Sequence, residues 1–135
     1  MKEFSLNQLP LLIWMGLIFW LSSIPRIPVI HAPIEIDKVV HTSVFFVLCW
    51  FSYRAFRYQS RFLSVQKYAL VLALVLTALY GVTDEIHQRF VPGRTFDYFD
   101  MLADATGAVA FAILLQIRTA VKRRAGLRET PSTGG

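Results

Sequence analysis

The chain has one cysteine, Cys49, so it can form no intramolecular disulfide framework. It is also poor in charge. Only 17% of its 135 residues are charged, against roughly 25% in an average soluble domain, and no charged side chain occurs between Glu3 and Arg26. With 55% hydrophobic residues and a mean hydropathy of +0.48, the chain is too apolar for a disordered segment. The net charge of +5 does not indicate nucleic acid, because the basic residues sit between apolar runs rather than on a folded polar face. There is no internal repeat and no sign of a second domain. What remains is a set of uncharged apolar runs, and a membrane is the solvent that suits them.

Residues 6–24 are long enough to cross a bilayer. Lys2 precedes them as in a secretory signal, but Glu3 cancels its charge and no A-x-A site follows, so the run reads as a retained helix. The other uncharged runs, 39–53, 68–83 and 105–117, fall short of the ~20 residues that span about 30 Å of hydrocarbon. Each must therefore take in flanking polar residues. The resulting expectation is an all-α, integral membrane four-helix bundle with helices at roughly 6–24, 38–56, 67–86 and 100–118. These form a single domain over residues 1–118, followed by a frayed basic tail at 119–135. Loop charge gives the orientation. Lys2, Arg54, Arg57, Arg61, Lys67, Arg118, Lys122, Arg123, Arg124 and Arg128 fall on one side with only Glu3 and Glu129. The other side holds Glu35, Asp37, Asp84, Glu85, Asp97, Asp100 and Asp104 against Arg26, Lys38, Arg89 and Arg94. Both termini are thus expected inside.

At the inner ends of the last three spans, long lysine and arginine stems can snorkel to the interface. At the outer ends the polar residues are short acids and a histidine, which cannot. Lengthening the spans brings in Asp37, Lys38 and His41, then Asp84 and Glu85, then Asp100 and Asp104. Asp37 and His41 are four apart, as are Asp100 and Asp104, and Glu85 and Gln88 are three apart, so each pair shares a helix face. An ionisable group facing lipid costs roughly 2.5–3.5 kcal/mol on insertion scales, so these faces should turn towards one another and form a polar pocket. In the loop DEIHQRFVPGRTFDYFD, Pro92 and Gly93 suit the centre of a type II turn that would set Arg94 over that pocket. The N-termini of the second and fourth spans would face it as well, and with Arg94 they suit an anion.

The segments D-K-x-x-H at 37–41, D-E-I-H-Q-R-F-V-P-G-R at 84–94 and D-x-L-A-D-x-x-G at 100–107 resemble the VanZ-like family over most of the chain. The resemblance implies a small polytopic protein of the bacterial inner membrane and cell envelope, whose namesake is linked to resistance to the glycopeptide teicoplanin. It supplies no settled reaction. It places the family's polar set on Asp37, Lys38, His41, Glu85, Gln88, Arg94, Asp100 and the position of Asp104, where relatives carry Asn and this chain has an acid instead.

As an enzyme site, Glu85, His41 and Asp100 would be the catalytic group. Glu85 or His41 would exchange a proton with water or a hydroxyl. Arg94, Gln88, Asp37, Lys38 and Asp104 would bind a phospholipid or a lipid-linked anion, such as an envelope precursor, or a glycopeptide. As a non-catalytic site, the same residues would bind a lipid or partner, or lock the bundle through a buried ion-pair network. A metal centre is the weaker reading, and no metal ligand is assigned. There is one in-span histidine and no H-E-x-x-H, and carboxylate-rich ligation would favour a hard cation over zinc. The cofactor is left open, and a transporter is disfavoured by the absence of an inverted repeat. Bland explanations stand beside these. Asp100 would serve equally as the N-cap of the last helix, Asp84 and Asp97 as loop acids, and Arg94 as a salt-bridge partner. Ala103, Gly107, Ala108 and Ala112 read as a close-packing stripe, Trp14, Trp20 and Trp50 as lipid-facing bulk or interfacial belt, and Cys49 as packing.

The orientation can be checked with Cys49 replaced by serine and one cysteine introduced at a time. A membrane-impermeant maleimide should label Thr95→Cys from outside intact cells and Ser60→Cys only after permeabilisation; the opposite pattern would reverse the topology.

Overall fold

The computed structural model describes residues 4–25 and 34–128. Among these, every regular element is helical: a π-helical turn at Phe4–Gln8, then α1 (Leu9–Ser22), α2 (Ile34–Arg57), the single turn-and-a-half α3 (Leu63–Lys67), α4 (Ala69–Gln88) and α5 (Tyr98–Arg128). Three of these, α2, α4 and α5, are long and apolar enough to span a bilayer, and the shorter apolar helical segment Leu6–Ser22 has 17 residues, at the low end of the spanning range. The short uncharged runs are lengthened as expected, with α2 starting before Asp37 and α4 running on through Asp84, Glu85 and Gln88. The helix ends differ most at the C-terminus. Residues 119–128, expected to fray, continue α5 without a break; alanine, lysine and arginine are good helix formers and nothing there stops the helix. Residues 129–135 lie outside the described part. The separate α3, which was not expected, occupies the basic connection between the second and third spans.

The packing is centred on α2, which lies against α5 and α4 and more lightly against α1. One apolar cluster joins Leu11 and Ile18 of α1 to Phe45, Leu48 and Ala55 of α2. A second joins Cys49 of α2 to Ala73 of α4 and to Ala108 and Phe111 of α5, so Cys49 is indeed packed. The closest approach is at Gly107, where an added Cβ would run into the Thr42 carbonyl oxygen and come within 2.8 Å of the Phe46 amide nitrogen. Thr42 Oγ1 donates across the same contact to the Ala103 carbonyl at 3.2 Å. Small residues on α5 thus let two backbones meet, the packing device that serves helices in lipid, where apolar burial gives little drive.

Outside this core the bundle is coated with apolar side chains: Ile13, Trp20, Val39, Val71, Leu79, Leu102, Val109 and Ile113 are all at least half exposed. Inside it are Asp84, Glu85, Gln88, Asp100 and Asp104, all buried. An apolar exterior around a charged interior is the arrangement that a hydrocarbon solvent selects. Trp14 departs from the expected belt. It is turned inward, and its Nε1 donates to the Val44 carbonyl at 3.1 Å, since a buried indole N–H needs an acceptor. Trp20 and Trp50 remain exposed.

Gly107→Ala should destabilise the purified chain by ~1–3 kcal/mol, because the clash is with backbone that cannot move aside. Gly16→Ala, whose added methyl meets nothing within 4 Å, should not. Thermal unfolding in detergent followed by circular dichroism compares the two, and equal midpoints would mean that the α2–α5 contact is looser than described.

Candidate functional site

Helices α1 and α4 end, and α2 and α5 begin, at one end of the bundle, and this is where the polar side chains gather. The loop leaving α4 is folded tightly. Phe90 and Val91 donate back to the carbonyls of His87 and Gln88, and the Arg94 amide donates to the Val91 carbonyl at 3.1 Å. Gly93, with φ of 76°, supplies the left-handed residue that a type II turn requires at its third position. The turn forms where Pro92–Gly93 indicates.

It sets Arg94 at the cavity, as the sequence indicates, but the partners of Arg94 on α1 differ from the expected acid or ligand. The guanidinium reaches the end of α1, where Nε donates to the Ile24 carbonyl at 3.0 Å and Nη2 to the Leu21 carbonyl at 3.0 Å, while Nη1 donates to Gln88 Oε1 at 3.1 Å. A cation that hydrogen-bonds terminal carbonyls satisfies a helix C-terminus and complements its dipole. Arg94 therefore fastens the loop to α1 and to α4 together.

Gln88 relays this contact inward, donating through Nε2 to Asp84 Oδ2 at 2.8 Å. The other oxygen of Asp84 accepts from Ser22 Oγ at 2.5 Å. Asp84, read from sequence as a loop or interface acid, is thus a buried tie between α1 and α4, and its spacing of four from Gln88 was the available signal. Ser22 carried no such signal, because its partner lies 62 residues away. Glu85, one residue on, is fully buried. Its Oε2 accepts the Asp97 amide at 3.0 Å, pinning the loop's far end, and its Oε1 has no hydrogen-bond partner among the described residues.

The third group joins α2 to α5. Lys38 donates to Asp97 Oδ2 at 2.8 Å and to Asp100 Oδ1. His41 Nδ1 pairs with Asp104 Oδ1 at 3.0 Å, and its Nε2 lies 3.9 Å from Asp100 Oδ2. Asp104, on the facing helix, is the carboxylate that takes His41 Nδ1. One sequence reading is corrected here. The N-cap of α5 is Asp97, whose Oδ1 accepts the Phe99 amide at 2.8 Å; α5 begins at Tyr98, so Asp100 lies inside its first turn with Oδ1 turned to Lys38. Gly81 makes room for Asp104, since a Cβ there would stand 3.0 Å from its Oδ2. That oxygen, like Glu85 Oε1, lacks a partner among the described residues.

All eight residues singled out from sequence, Asp37, Lys38, His41, Glu85, Gln88, Arg94, Asp100 and Asp104, therefore stand at one end of the bundle. Ser22, Asp84 and Asp97 join them. A cavity of about 150 Å³ opens among them, lined by the apolar Ile18, Leu21, Val44 and Phe45 and by the polar Asp37, His41, Asp84, Gln88 and Arg94. Asp37, His41 and Asp100 also bring one donor atom each to within 4.8 Å of the others.

This is a small polytopic helical membrane protein with a polar cluster built across two helix pairs and the loop before α5. The sequence profile of the VanZ/LLP1 family matches residues 7–119, and the chain belongs to that family. An uncharacterized protein of the yeast Schizosaccharomyces pombe is 32% identical over 115 residues, which is 85% of this chain and 67% of the relative. No solved structure matches the chain.

Outside the spans, the hydrogen bond from Lys38 holds the Asp97 carboxyl below its ordinary range, helped by the Phe99 amide. A depressed folded pKa stabilises the fold above the unfolded pKa of about 4, and this contribution is lost as pH falls through the depressed value. Asp97→Asn keeps the cap but not the charge. Its unfolding midpoint should lie below that of the wild type at pH about 7 and meet it in acid; parallel curves at every pH would show that the ion pair adds nothing.

Proposed function

We propose that the polar end of the bundle faces the extracytoplasmic side and takes the anionic headgroup of a membrane lipid, either a phospholipid or a lipid-linked envelope precursor. The observation that carries this reading is the mixed lining of the cavity. Ile18, Leu21, Val44 and Phe45 line it together with His41, Gln88, Arg94 and the acids Asp37 and Asp84, and such a mixture of apolar and polar groups suits the junction between a headgroup and its acyl chains. The exposed aromatics Phe90, Tyr98 and Phe99 beside it suit an interfacial level. Loop charge supports this orientation, and a bacterial inner membrane is the home that the resemblance to VanZ-like proteins implies. The relative at 32% identity is a yeast protein, so headgroup chemistry is the better guide to the ligand than any one envelope precursor. The glycopeptide link belongs to the family's namesake and no residue of this site carries it. In the catalytic form of the reading, Glu85 or His41 moves a proton and Asp100 positions them.

A second reading has a specific observation behind it. Arg94 places its guanidinium on α1 carbonyls and Gln88, as a structural fastener would, and the cluster is then a network that locks four helices in register.

Native mass spectrometry of the gently solubilised chain separates the two. The wild type is expected to carry an anionic lipid, Arg94→Ala at a matched folded amount to lose most of it, and Glu85→Gln to retain it, with build-up if Glu85 acts in turnover. An empty wild type whose variants only unfold sooner would sink the ligand reading and leave the network.

A further inference from the structure

The polar end carries more negative than positive side chains. Asp37, Asp84, Glu85, Asp97, Asp100 and Asp104 stand against Lys38, Arg94 and, when protonated, His41. Hydrogen bonds from Ser22, Gln88 and the Asp97 amide accommodate part of this charge. The remainder is concentrated where α2 meets α5, beside two oxygens with no hydrogen-bond partner among the described residues.

We infer that Asp37, His41 and Asp100 bind one divalent metal cation. Their donor atoms already lie within 4.8 Å of one another. His41 Nε2 and Asp100 Oδ2 are 3.9 Å apart, too far for a hydrogen bond and close enough for both to ligate a single ion ~2.0–2.2 Å from each. His41 is prepared for this by Asp104, which takes Nδ1 at 3.0 Å and so presents Nε2 to the gap. A carboxylate on the second nitrogen is the usual support of a ligating imidazole. Lys38 holds the other oxygen of Asp100 and fixes the direction of its free edge.

An independent observation points the same way. Glu85 is fully buried and Asp104 nearly so, and each keeps an oxygen with no partner among the described residues. Glu85 lies within electrostatic range of His41, Asp100 and Asp104. Buried carboxylate oxygens without donors are expensive, and a nearby dication, with the waters it brings, offsets that cost. Two carboxylates and one imidazole suit a hard to borderline ion such as Mn2+. The inference deepens the headgroup reading, since a dication would give a phosphate a reason to approach this acidic end, but the ion's presence does not depend on a lipid.

The test uses Mn2+ and the full chain in detergent after chelator treatment. Electron paramagnetic resonance should show one tightly bound Mn2+ per chain, with pulsed spectra carrying nitrogen hyperfine coupling from an imidazole. His41→Gln should remove the nitrogen coupling and weaken binding by more than the ~10–100-fold that losing a ligand's hydrogen-bond partner costs. Asp100→Asn should weaken binding while keeping the coupling. His87→Gln, whose ring pairs with Ser23, should match the wild type. A folded wild type that binds no Mn2+, or binds it without nitrogen coupling, overturns the inference, and neither result depends on any variant folding. Mn2+ binding in protein that carries no anionic lipid would uphold the cation site and count against the headgroup reading; anionic lipid carried by a folded wild type that takes up no added Mn2+ would do the reverse.

Discussion

Hydrocarbon offers no hydrogen bonds, and the polar end of this bundle follows from that. Each acid brought below the interface by a lengthened helix must find its donors on another helix. Ser22 with Asp84 joins α1 to α4, Lys38 with Asp100 and His41 with Asp104 join α2 to α5, and Glu85 holds the loop that precedes α5. Satisfaction and tertiary structure are here the same thing. The groups left over, one oxygen each on Glu85 and Asp104, are informative because the rest of the cluster is so thoroughly matched.

The apolar half of the bundle works by closeness instead. At Gly107 the α5 backbone meets the α2 backbone, and this contact brings Asp104, three residues earlier on α5, opposite His41. A wider spacing of the two helices would separate that pair. The small-residue stripe and the polar cluster are therefore one design along a single helix, with close packing setting the distance at which side-chain chemistry becomes available.

Much of this was legible in the sequence, and the parts that were not share a cause. Uncharged runs, loop charge and i, i+4 spacing depend on residues near one another in the chain, and they located the spans, the turn at Pro92–Gly93 and the end of the bundle where polar residues collect. Which carboxylate meets which donor depends on the rotation of one helix against another. The spacing therefore did not show that Asp104 takes His41 Nδ1, and Asp84 turned out to be buried against a serine 62 residues away. The cap at Asp97 was missed for a smaller reason. Two aspartates three residues apart both precede an apolar run, and only the backbone decides which one stands outside the helix.

The attachment of α1 is uneven in strength. Its middle is held by Trp14 and by Tyr80, whose hydroxyl donates to the Met15 carbonyl at 2.6 Å, and its end by Ser22, by Ser23 with His87 and by an arginine arriving from the loop beyond α4. The other three long helices share the broader contacts and form the cooperative unit, while α1 is the stave that can be lifted from the barrel first. Ile18, Leu21 and Ser22 line the cavity, so releasing that stave would open the cavity sideways into the bilayer rather than upward into water, and Arg94 is the hasp that keeps this side door shut.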